Sequence, residues 1–307
     1  MQKTLKSAIR FSGIGLHTGK PVRMEIEPAS AGYGIWFQRT DVLSGDQMIP
    51  ARWDVVEQSP LCTKIKNSDD VSVSTIEHIM AALAGCGVHN ALIKIDGPEV
   101  PIMDGSSAAF VRAILARGLI TQSPTIRALK VLKPIRVERE DAWAELHPSD
   151  NLEIDFHIEF ADAAIGTQHQ TLNMANGTFV RELCDCRTFC RQADVDWMRA
   201  NGLALGGVPG ENAVVFDGTY VQSGRGLRRV DEPVRHKMLD ALGDLYTAGA
   251  PILGRYVGHR SGHAMTNKLL RALLTDPDAY CFVECSADMA ARLPGVGASM
   301  SEMPAVA

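Results

Sequence analysis

A chain of 307 residues exceeds one average domain, and 46% hydrophobic against 22% charged residues is the composition of a folded protein with a sizeable core, not of a disordered one. The formal net charge of −5 offers no basic patch of the kind nucleic acid demands, which argues against nucleic acid as a partner. Residues 1–10 are basic but lack the apolar run of a signal peptide, and no stretch nears the roughly 20 apolar residues of a membrane span, so a cytoplasmic protein without a transmembrane segment is expected.

In chain order, Gly13-Ile14-Gly15-Leu16-His17-Thr18-Gly19 is glycine-punctuated but followed by no GKS or GKT, so it reads as a hairpin and not as a phosphate loop. Residues 21–28 alternate apolar and polar at period two, the mark of a half-buried strand. Residues 74–85 read as a helix, 90–95 as a buried strand, and 96–105 as a turn-rich stretch leading into a second helix from about Ser106. The apolar pattern breaks at 121–125, which places a domain boundary there and divides the chain into 1–123 and 124–307. Beyond it come successive strands over 126–159, a helix over about 178–184, and an irregular glycine-rich segment over 189–217. A helix over 234–244 follows, with Asp231 as its N-cap and Pro233 in its first turn. A strand at 251–258 and a helix from near Met265 complete the pattern. The seven cysteines, an odd number, suit reduced thiols; Cys184, Cys186 and Cys190 cluster without the second Cys/His pair of a zinc ribbon.

The helix over 234–244 carries His236 and, one turn later, Asp240. Residues four apart share a helix face, so both side chains can reach one ion. An internal echo supplies a partner: His78-Ile79-Met80 with Gly85 repeats as His236-Lys237-Met238 with Gly243, each on a helix followed by a strand and another helix. Two related α/β halves, each giving a histidine from an equivalent helix, follow from that echo. Catalytic zinc takes three histidine or carboxylate ligands and leaves a position open, a count that His78, His236 and Asp240 meet. Glu77 adjoins His78 and points about 100° away from it on a helix, a placement suited to a base beside the ligand. Each residue also has an ordinary reading. Ser74-Thr75-Ile76-Glu77 is a capping-box pattern, in which Glu77 reaches back to a backbone N–H. His78 is then a half-buried core histidine, and His236 with Asp240 an exposed polar pair. Two further segments stand out: His263 in the small-residue turn Arg260-Ser261-Gly262-His263-Ala264, and Thr188 beside Phe189 at the end of a helix.

Three of these segments, Ser74-Thr75-Ile76-Glu77-His78, Pro101-Ile102-Met103-Asp104-Gly105-Ser106 and the run from Val234 to Asp244, together with Gly13 to Lys20 and Ser261-Gly262-His263-Ala264, resemble the UDP-3-O-acyl-N-acetylglucosamine deacetylases. The resemblance spans nearly the whole chain. It implies an α+β fold of two similar two-layer α/β sandwich domains, each a sheet packed on helices with a small insert, and an active site between them. It implies zinc, with iron(II) as the alternative, held by His78, His236 and Asp240, with Glu77 as general base and His263 as general acid or oxyanion stabiliser. Thr188 then helps hold the oxyanion, Asp244 orients His263, and Lys237, Phe189 and Cys62 meet the substrate. The implied substrate is UDP-3-O-acyl-N-acetylglucosamine, deacetylated in the committed step of lipid A biosynthesis by a monomer. The family often continues Arg-Thr-Phe with glycine and an aromatic residue, where this chain has Cys190 and Arg191, and Val208 stands where serine is more usual. Both departures fall in the implied βαβ insert at about 189–217, where Leu203, Leu205, Val208 and Val214 are candidates to line an acyl passage. A rival reading from another class is a two-domain nucleotide-sugar binding module with a structural zinc. A zinc peptidase fits less well, since no His-Glu-x-x-His helix is present.

Overall fold

Two sheets, each built from one stretch of the chain, frame the computed structural model, which describes residues 1–59 and 61–305. The first has five strands in the order Ile9–Ile14, Pro21–Pro28, Ala91–Ile95, Ile35–Arg39, Met48–Pro50, antiparallel except where Ile35–Arg39 runs parallel to Ala91–Ile95. The period-two pattern of residues 21–28 turns Met24 and Ile26 inward, and both are solvent-free. The second sheet has seven strands drawn from residues 127–284, with Ile252–His259 at its centre, parallel to Arg127–Val131 and Leu152–Glu159 and antiparallel to Ala142–Pro148. Among the described residues, mixed α/β layers with no barrel result, as the fold-class expectation had it.

Helices α1 (Glu77–Cys86), α2 (Ala108–Arg117), α3 (Thr178–Glu182), α4 (Gln192–Ala200), α5 (Glu232–Tyr246) and α6 (His263–Leu274) follow in order. Every residue of α1 is buried, because α5 crosses its far side. On α5, Val234, Met238, Leu239, Leu242 and Leu245 are essentially solvent-free, and each such burial stabilises by about 1.5–3 kcal/mol. At the crossing Gly243 has no alternative: a Cβ there would lie 2.0 Å from the Glu77 carbonyl oxygen. Gly243→Ala is therefore expected to push the helices apart, costing about 1–3 kcal/mol. A lowered thermal midpoint with weaker metal retention is the expected result; an unchanged midpoint would contradict this packing.

Several boundaries differ from the sequence reading for identifiable reasons. The first helix starts at Glu77, not Ser74, because Thr75 takes a left-handed backbone (φ 58°) and the Ser74 N–H is bound to the Pro98 carbonyl. The capping box consequently does not form. The second helix starts at Ala108, and α3 closes at Glu182, so Arg187 and Thr188 lie in the loop beyond it and Phe189 opens a strand, none of them at a helix end. Asp231 is the N-cap residue of α5, with Pro233 in the first turn as expected, but its carboxylate accepts no helix N–H and takes the Arg235 guanidinium at 2.7 Å instead. His263 opens α6 itself, with Gly262 as the extended N-cap. The segment read as irregular is ordered: Phe189–Arg191 runs parallel to Val214–Asp217 with α4 between them, and Tyr220–Gln222 adds a third strand.

Candidate active site

The α1/α5 crossing sets His78 and His236 edge to face, ring centroids 5.0 Å apart, and Asp240 one turn along α5 completes a buried group whose ligand atoms lie within 4.8 Å of one another. His236 Nδ1–H donates to the Cys186 carbonyl at 3.0 Å, which leaves the Nε2 lone pair facing Asp240 Oδ1 at 3.3 Å. His78 Nε2 is 3.7 Å from the same oxygen. Asp240 Oδ1 is buried with no hydrogen-bond partner, a costly state for a carboxylate oxygen. Two imidazole lone pairs and an orphaned anionic oxygen on one point are the donor set of a divalent cation, and the residues present fit one. The other oxygen, Oδ2, accepts from Lys237 Nζ at 2.8 Å.

Charge states suit that purpose. Burial, joined by His236, pushes His78 down to about 3, and burial likewise lowers His236, so both imidazoles are neutral and able to ligate. Burial works against the Asp240 carboxylate, but His236, Lys237, His263 and His78 together hold it well below the usual range. Burial raises Glu77 to about 7, His263 opposing and Asp240 and Asp244 assisting. Burial would lower His263, yet the carboxylates of Asp244, Glu77 and Asp240 outweigh it and lift that imidazole to about 9. A carboxyl group near neutrality thus sits beside a cationic imidazole.

Their geometry is held from behind. His263 Nδ1 pairs with Asp244 Oδ2 at 2.9 Å, leaving Nε2 toward Glu77 Oε1 at 3.9 Å. Thr63 braces both acids: its N–H donates to Glu77 Oε2 at 3.0 Å and its hydroxyl to Asp244 Oδ1 at 2.5 Å. All of this opens on a cavity of about 470 Å³ that Glu77, His78, Thr188, His236, Lys237, Asp240 and His263 line together.

Phe189 also lines the cavity, its ring 6.3 Å from that of His236. Asp244 stands behind His263, and Cys62 is not among the described lining residues; it is buried, with burial and then Glu77 pushing its thiol up to about 12. The apolar wall comes from Val195, Met198, Ala204, Pro209, Ala213 and Val215, whereas Leu203, Leu205, Val208 and Val214 are not among the lining residues. Leu205 is 58% exposed, and Val214, on the opposite strand face from Val215, packs into the core. Sequence reasoning missed His17, which lines the cavity with both ring nitrogens buried and unpartnered. A histidine at a glycine-flanked hairpin tip was the available signal. It also missed Thr63, for which no local signal existed, since Asp244 is 181 positions away.

A family model described as UDP-3-O-acyl N-acetylglycosamine deacetylase matches residues 2–275. The chain is 45% identical over 291 residues to the UDP-3-O-acyl-N-acetylglucosamine deacetylase of Shewanella woodyi, covering 94% of this chain and 95% of that one. It is 44% identical over 295 residues to the enzyme of that name from Shewanella frigidimarina, covering 95% of each. With the Shewanella oneidensis protein of the same name it shares 43% identity over 300 residues, 96% of this chain and 97% of that one.

Proposed function

The chain belongs to the UDP-3-O-acyl N-acetylglycosamine deacetylase family, and from that premise we propose how its residues hydrolyse the N-acetyl group of UDP-3-O-acyl-N-acetylglucosamine, releasing acetate and a free glucosamine amine for lipid A biosynthesis. The observation that carries the reading is the orphaned Asp240 oxygen facing two bare imidazole nitrogens at the floor of the cavity. His78, His236 and Asp240 would hold zinc, with iron(II) as the alternative, since imidazole and carboxylate donors accept either. When bound, the cation supplies Lewis-acid polarisation of the acetyl carbonyl and acidifies water at its open position.

Glu77, close to neutrality in affinity for protons and fixed by the Thr63 N–H, takes the proton of the attacking water at Oε1. His263, cationic and with Nδ1 held by Asp244, presents Nε2–H to the developing oxyanion and supplies a proton to the departing amine. Thr188, which also lines the cavity, contributes its hydroxyl to holding the oxyanion. Lys237 keeps Asp240 in place and, with Phe189, borders the substrate. The halves on either side of residues 121–125 act as the two domains whose helices α1 and α5 meet at the site. Among the described residues no helix is long and apolar enough to cross a membrane; the reading places the enzyme in the cytoplasm.

Three protein ligands and an open side facing a cavity favour a catalytic over a structural cation, because structural zinc sites close with four protein ligands. Incubation with UDP-3-O-acyl-N-acetylglucosamine tests the function; acetate release is expected, and none from the cation-loaded chain would overturn it.

Asp244→Asn gives a pH-dependent test. His263 works protonated and Glu77 ionised, so activity lies between about 7 and about 9, and its alkaline limb is lost as pH rises through about 9. Removing the foremost carboxylate that raises it moves that alkaline loss to lower pH, so the rate at about pH 9 falls further than the rate at about pH 6. Equal losses at both values would contradict the orienting role.

A further inference from the structure

Glu99 is 1% exposed and takes no part in the chemistry above. Its Oε1 accepts the His17 N–H at 2.8 Å and the Thr75 hydroxyl at 3.1 Å, and its Oε2 accepts the Thr18 N–H at 2.9 Å. The carboxylate fills its niche so tightly that a Cβ on Gly15 would lie 2.2 Å from Oε2. Thr75, two residues before Glu77, has φ 58°, a region that a β-branched residue occupies only when its surroundings force it. The Thr75 hydroxyl bond to Glu99 is such a constraint, joined by the pairing of Ser74 with residues 98–100. On its other side the His17 loop accepts the N–H groups of Leu205 and Gly206, so the same carboxylate also anchors the βαβ insert that walls the cavity.

We propose that Glu99 is a positioning residue for the deacetylation: it holds Thr75 left-handed and so keeps the Glu77 carboxylate in the cavity. The competing arrangement is written into the sequence. With Thr75 released to negative φ and the Ser74 N–H freed from the Pro98 carbonyl, Ser74-Thr75-Ile76-Glu77 becomes a capping box, and Glu77 turns back toward that N–H. Glu99 is the local charge that decides between the two. The inference rests on Glu77 being the base, so its test carries Glu77→Gln as a separate control.

The experiment measures kcat, KM and cation affinity, the last by chelator competition, for Glu99→Gln, Thr75→Gly and the double variant. Glu99→Gln is expected to lower kcat by about 10–100-fold, the effect of displacing a reacting group by roughly 1 Å, with little change in cation affinity. Glycine takes a positive φ freely, so on the Thr75→Gly background the same Glu99→Gln change costs much less. Equal losses on both backgrounds, within about twofold, would overturn the proposal, as would a loss confined to KM. Should Glu99→Gln fail to fold, Thr75→Ala and Thr75→Ser decide it: only serine keeps the hydroxyl for Glu99, so alanine must lower kcat more than serine, and equal values refute the role. If Glu77→Gln keeps its rate, the base assignment fails; if it loses the rate while Glu99→Gln does not, only this inference fails.

Discussion

Glutamine in place of Glu77 is expected to lower kcat by about 10²- to 10⁴-fold, the usual contribution of a general base, while the protein keeps its cation. The substitution preserves size and leaves an oxygen to accept the Thr63 N–H, so the backbone at the head of α1 has no reason to move. What disappears is the proton affinity that burial tunes to about 7. His78, His236 and Asp240 are untouched, and elemental analysis should find the cation at wild-type stoichiometry. A kcat within tenfold of wild type, at full cation content, would remove Glu77 from the role.

His236→Ala is expected to abolish stoichiometric cation binding and, with it, activity, a loss beyond the roughly 10–100-fold that removal of an outer supporting contact costs. Asp240→Ala should lose the cation as well but behave differently as a protein. Lys237 Nζ lies 2.8 Å from Asp240 Oδ2, so deleting the carboxylate strands a largely buried ammonium, a change that typically destabilises by about 3–5 kcal/mol. His236→Ala strands only the Cys186 carbonyl and should unfold near the metal-free wild-type midpoint. Equal thermal midpoints for the two variants would argue against the Lys237–Asp240 pair. For the wild type, cation at about 100 times its dissociation constant should add about 2.7 kcal/mol of stability.

Much of the site was legible because its parts are local. The spacing of His236 and Asp240 on an apolar-periodic segment already placed two donors on one helix face, and the His-x-Met echo pointed to the helix that α5 crosses. The family resemblance then supplied the roles proposed for Glu77 and His263, which spacing alone left open. The readings that missed depend on contacts far apart in sequence. Ser74 to Glu77 has the composition of a cap, and only the ladder to residues 98–100 with the buried Glu99 carboxylate turns Thr75 away from it. Likewise the lining of the insert alternates with the large apolar residues picked out from composition: Ala204, Pro209 and Val215 face the cavity where Leu205, Val208 and Val214 do not. Strand and turn geometry decided those faces, and the glycines that hid the period-two pattern concealed it from the sequence.

The central claim is that a cation held by His78, His236 and Asp240 is required for deacetylation in an otherwise folded protein. Acetate release from UDP-3-O-acyl-N-acetylglucosamine, measured on the same preparation as purified, after chelation, and after readdition of zinc or iron(II), tests it most directly, with circular dichroism recorded at each stage. Activity lost on chelation and restored by the cation, with the folded spectrum intact throughout, is the expected result; undiminished acetate release from cation-free protein would contradict it.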